Sequence, residues 1–181
     1  IYSSGGFGSP RHIYAQKVSA AGAPQWGPAP LHVFDAGSLQ FGAFPDFIGD
    51  GAGGAVFTWY SSSPALEVFA QHVLSNGTEM FAHNGVSAST DVTQIRVGPS
   101  VAFDTAEQET FLLYEELNSS QSQSGISAQK LDATGNRMWS PTGKSLLALG
   151  VTKAGNAAIV ALDDGAQLFW SESAGFGQDV L

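Results

Sequence analysis

Ile126-Ser127-Ala128-Gln129-Lys130-Leu131-Asp132-Ala133-Thr134-Gly135-Asn136-Arg137-Met138-Trp139 holds the pattern that decides the fold. An Ala-Gln pair is followed six residues after the Gln by a glycine and ten after it by an aromatic residue. The same spacing occurs twice earlier, at Gln71 with Gly77 and Phe81, and at Gln16 with Gly22 and Trp26. The copies are 55 and 58 residues apart, the length of a supersecondary unit and longer than a helical or leucine-rich repeat. The chain therefore reads as a repeat array.

The middle copy shows what one unit contains. Asp50-Gly51-Ala52-Gly53-Gly54 is turn chemistry, and Ala55-Val56-Phe57-Thr58-Trp59-Tyr60 is rich in the β-branched and aromatic residues that fit a pleated surface. Glu67 to Val73 alternates with the period of a half-buried strand. Ser75-Asn76-Gly77 then turns the chain, because Asn and Gly tolerate the positive φ of a tight hairpin. Thr78 to Val86 is expected to return as a strand carrying Phe81. The third copy repeats the order, with strands at Pro99 to Phe103, Thr110 to Tyr114, Gly125 to Leu131 and Arg137 to Trp139. Four short antiparallel strands per unit are expected, in approximate units 1–46, 47–98, 99–154 and 155–181, the first and last incomplete. A unit with apolar faces must stack on a neighbour to bury them, so blades from elsewhere in the same protein, from another chain or from a second copy in a homodimer are expected partners.

Composition narrows the function classes. The chain has 181 residues, only 13% of them charged, with 22 glycines and no cysteine. Disulfides and thiolate metal sites are therefore excluded. A net charge of −9 with seven scattered basic residues lacks the cationic footprint that phosphate backbones require, so nucleic acid is not an expected partner. No apolar run approaches the roughly 20 residues of a spanning helix, and membrane insertion is not expected.

Ile13-Tyr14-Ala15-Gln16-Lys17-Val18 and Ile126 to Asp132, each with its later Gly and Trp, resemble a recurrent element of β-propeller blades in large bacterial secreted and surface proteins. Gly85 and Gly143 match the late glycine of that element, where the first copy has Pro30. The resemblance implies an all-β chain of about three four-stranded blades, an extracellular or cell-surface location, and a scaffold or recognition role without catalysis. Asp132 to Trp139 is also similar to the Asp box of sialidase-type propellers, with one extra residue on each side of the Gly. The three arginines, Arg11, Arg96 and Arg137, are too few for a sialidase arginine cluster. A β-trefoil, with three units of about this length closing on each other, is the alternative fold. A lectin-like or glycoside-hydrolase-like module is the alternative function.

Candidate sites follow from the repeat. Trp26, Phe81 and Trp139 each offer a flat apolar face on which a pyranose could stack, or a plug between units. Gln16, Gln71 and Gln129 carry one donor group and one acceptor and are expected, with Gly22, Gly77 and Gly135, to tie strands or blades together. Asp163 and Asp164, before Gly165, form the best local candidate for calcium. His12, His32, His72 and His83 show no zinc spacing. Glu115 and Glu116 are adjacent and point to opposite faces of a strand, unlike a facing pair of hydrolytic carboxylates.

Overall fold

The computed structural model describes residues 2–4, 8–173 and 179–180, and the regular structure among them is entirely β-strand. The strands form antiparallel sheets that follow one another along the chain. The first sheet contains β1 (Tyr2–Ser4), β2 (Arg11–Ala15) and β3 (Leu31–Phe34). The second contains β4 (Ser38–Leu39), β5 (Asp46–Gly49), β6 (Ala55–Ser63), β7 (Glu67–Val73) and β8 (Val86–Ser87). The third is β9 (Gln94–Asp104), β10 (Glu109–Asn118), β11 (Ser124–Leu131) and β12 (Lys144–Gly150), and the fourth is β13 (Lys153–Leu162), β14 (Gly165–Ser173) and β15 (Asp179–Val180).

Each sheet is a meander. In the second, β4 and β5 pair with opposite ends of β6, so the two short strands share the edge that β9 occupies alone in the third. The sheets change earlier along the chain than the sequence units do: β4 already belongs to the second sheet, and positions 98/99 and 154/155 fall inside β9 and β13.

Apolar clusters lie between successive sheets. Ile13, Val33 and Phe34 meet Leu39, Phe57 and Trp59. Val56, Val68 and Ala70 meet Val101, Phe103, Leu112 and Tyr114. Leu113, Ile126 and Ala128 meet Ala154, Ile159 and Leu168. Both faces of β10 are thus covered, which is why Phe111-Leu112-Leu113-Tyr114 is a continuous apolar run rather than an alternating one.

The expected returning strands need correction. Thr78 to Gly85 and Arg137 to Gly143 are turns and loops, each touching the preceding strand by one isolated bridge, Val73 to Glu79 and Leu131 to Arg137. The fourth strand starts later, at Val86 or Lys144. Its place beside the Ala-Gln strand is taken by the glutamine side chain.

Candidate functional site

The glutamine of each copy acts as a length of surrogate backbone. Gln129 Oε1 accepts from the N–H groups of Lys130 at 3.0 Å and Trp139 at 3.2 Å, while Nε2 donates to the Ser140 carbonyl at 2.9 Å and the Ala88 carbonyl at 3.2 Å. Gln71 accepts from His72 and Phe81 and donates to the Ala82 carbonyl, each at 3.0 Å. Gln16 accepts from Trp26 and donates to Gly27. A primary amide reproduces the donor and acceptor of a peptide group, so the main chain ten residues on needs no neighbouring strand to satisfy it. Gln71 and Gln129 are fully buried, and Gln129 also reaches back to the second sheet through Ala88.

The glycines belong to turns of one geometry. Gly22, Gly77 and Gly135 have φ of 79°, 88° and 88°, and each donates its N–H three residues back. A Cβ at Gly77 would lie 3.0 Å from the Trp26 ring, and one at Gly135 would lie 2.9 Å from the Phe81 ring. The aromatic residue of one copy is therefore seated on the glycine turn of the next.

The three aromatic candidates consequently differ. Phe81 is enclosed in the second intersheet cluster, 4% exposed. Trp139 packs against Phe111, ring centres 5.8 Å apart, with the Lys144 ammonium 5.5 Å over its ring. Trp26 is half-buried, donates its indole N–H to the Ser75 carbonyl at 3.0 Å, and walls a cavity of about 240 Å³ between the first and second sheets. Phe47, Phe57, Ala55, Gly54 and Lys17 complete much of that wall. Phe47 is 62% exposed and stacks on Phe57 with 5.7 Å between ring centres. Trp26 and Lys17 belong to the repeat hairpin, whereas Phe47 joins them only across the junction between the first two sheets.

The titratable groups of the interior are engaged structurally. Arg96 is fully buried; its guanidinium donates to Glu67 at 2.7 Å, to Glu116 at 2.9 Å and to the Asp91 carbonyl at 2.6 Å. Ser127 donates to the other oxygen of Glu116. Burial pushes the Glu67 carboxyl upward more than Arg96 draws it down. Burial also raises the Tyr114 phenol, whose hydroxyl, like Arg96 Nε, finds no partner in hydrogen-bond geometry. Glu115 faces the other way, beside Gly155 of the fourth sheet, and burial raises its carboxyl too. Asp50 Oδ2 lies 3.1 Å from His72 Nε2 in a buried pair, and Asp50 Oδ1 accepts from the N–H groups of Ala52 and Gly54. Burial opposes ionisation there, yet these bonds outweigh it and hold Asp50 below the usual carboxylate range. Asp132 receives Thr134 and Asn136, and the side-chain bond from Asn136 leads in pulling its carboxyl down to about 2.

On the surface, His83 lies between Glu79 at 2.9 Å and Asp35 at 3.4 Å, with Asn84 accepting from the Asp35 and Ala36 N–H groups. His32 stands 3.8 Å from Asp35, and His12 lies on β2. Asp163 and Asp164 are the two exposed residues of the β13–β14 turn. Among the described residues no group of three His, Asp or Glu is placed to hold a metal ion. No described helix is long and apolar enough to cross a membrane. No protein-family model, curated protein or solved structure matches this chain.

Proposed function

We propose that the chain is a run of β-propeller blades acting as a non-catalytic scaffold and recognition segment of an extracellular or surface protein. The observation that carries this reading is a contact that recurs from copy to copy: Trp26 on Gly77, then Phe81 on Gly135. The same contact thus joins the first copy to the second and the second to the third, as expected of a blade array. Pairing confined to strands close in sequence, with a separate apolar cluster at each junction, supports blades over a trefoil barrel. Engagement of Glu67, Glu116 and Asp50 by structural partners supports a binding role over hydrolysis.

Solution scattering combined with light scattering tests the arrangement. A curved stack, free or completed to a ring by other blades, is the expected result, and a compact threefold particle would overturn it. Turnover of a glycoside lost on Glu116→Gln would overturn the non-catalytic reading. The carbohydrate alternative draws its support from Trp26, the one of the three repeat aromatics that borders the cavity. A sugar whose binding saturates and is lost in Trp26→Ala would establish it.

A further inference from the structure

The sheet register makes the first two junctions comparable position by position. Phe57 faces Gln71 across β6 and β7, and Leu112 faces Gln129 across β10 and β11. With these as anchors, Ala55 corresponds to Thr110, and on the neighbouring strand Phe47 corresponds to Val101 and Gly49 to Phe103. On the facing sheets, the residues after the glutamines make Lys17 equivalent to His72, and the aromatics make Trp26 equivalent to Phe81.

At the second junction the space is filled. Phe103 is 6% exposed, its ring is 5.1 Å from that of His72, and it belongs to the same cluster as Phe81. At the first junction the corresponding residue is Gly49, on the same face as Phe47 and Ala55. A Cβ added there meets nothing within 4 Å. The cavity of about 240 Å³ is bounded by the equivalents of the groups that enclose Phe103: Trp26 for Phe81, Lys17 for His72, Phe47 for Val101. It is an open cleft alongside the Gly49 strand, and its volume exceeds the roughly 150 Å³ that holds benzene in an enclosed apolar cavity.

The rim adds charge selection. Lys17 replaces the buried His72, and its ammonium contacts the Ser75 carbonyl at 3.5 Å. It lies over the Gly51–Gly54 turn, where a Cβ on Gly53 would come within 3.0 Å of Nζ. We propose that this cavity binds a phenyl-sized flat ring bearing a carboxylate, the ring entering beside Trp26 and Phe47 where Phe103 stands one unit later, and the carboxylate pairing with Lys17. The inference rests on register and not on the blade reading, so either can fail without the other.

Amide chemical-shift titration of the intact chain with 3-phenylpropionate tests it, with 3-phenylpropan-1-ol as the neutral analogue and methyl glucoside as a sugar. Saturable shifts around Trp26, Phe47 and Gly53 are expected for the acid. The alcohol should bind up to about five-fold more weakly, the scale of one exposed ion pair, and Lys17→Met should remove that difference. Gly49→Phe, which builds in the missing ring, should abolish binding of both and keep or raise the unfolding midpoint. Ala55→Leu, filling the cavity from the facing strand, gives the same test should Gly49→Phe fold poorly. Absence of saturable shifts, binding that survives both filling variants, an alcohol as tight as the acid, or displacement by the glucoside would each overturn the proposal.

Discussion

Substituting leucine for glutamine in all three copies tests the surrogate-backbone role, because one motif sits in three degrees of burial. Gln129→Leu keeps volume but leaves the N–H groups of Lys130 and Trp139 and the carbonyls of Ser140 and Ala88 without their side-chain partner. A fully buried orphaned polar group costs about 1–3 kcal/mol, whereas one at the surface is satisfied by water. The bond to Ala88 is buried and those to Trp139 and Ser140 are partly so. One group beyond the reach of water and two partly beyond it give a loss of roughly 2–5 kcal/mol. Gln71→Leu should fall in the same range, since Gln71 is equally buried and its bond with Phe81 is buried. Gln16 is half-buried and its acceptors Gly27 and Ala29 are exposed, so Gln16→Leu should cost about 1 kcal/mol or less. Urea unfolding of the three variants, compared at unchanged slope, reads these differences. Equal losses at the three positions, or a loss below about 1 kcal/mol at Gln129, would refute the argument.

Gly22→Ala and Gly135→Ala separate conformation from contact: both impose positive φ on a side chain, at about 1–2 kcal/mol, but only the Gly135 Cβ meets the Phe81 ring, so Gly135→Ala should shift the thermal midpoint further. Arg96→Ala should destabilise by about 3–5 kcal/mol because it strands Glu67 and Glu116 at a buried position, and adding Glu67→Gln and Glu116→Gln should recover part of the loss in denaturant titrations. Asp132 has a lowered carboxyl, so the stability of its turn is complete above the unfolded value near 4 and is lost as pH falls through about 2; Asp132→Asn should flatten that acid limb in pH-dependent unfolding. His83 is held above its ordinary value first by Glu79, so its contribution is complete below about 6.5 and fades as pH rises through its folded value; His83→Gln should remove this weak slope.

Much of the fold was legible because its determinants are local. The Glu67 to Val73 alternation coincides with β7, and the glycine turns follow from the positive φ that Gly77 and its counterparts supply. The returning strand misled because alternation and propensity report where a strand is possible, while the Gln71 amide had already taken the bonds a strand at Phe81 would have made. The cavity was half legible. Trp26 and Lys17 belong to the repeat motif, but Phe47 joins them only through β5–β6 pairing and the junction between sheets. Arg96 reads in sequence as one basic residue among apolar ones, since its partners Glu67 and Glu116 are 29 and 20 positions away.

The glutamine addresses main-chain atoms, and this leaves a short segment of every copy free to change. Four residues separate the aromatic from the next strand in each copy: Gly27 to Pro30, Ala82 to Gly85, and Ser140 to Gly143. Their course is set by a carbonyl on the first of them, held by the preceding glutamine. The middle side chains can therefore be rewritten without rewriting the scaffold. The second copy has used that latitude to place His83 and Asn84 against Asp35 of the preceding sheet. The same positions are natural grafting points: a new recognition surface could be installed turn by turn, with its register guaranteed by an amide that never reads the grafted letters.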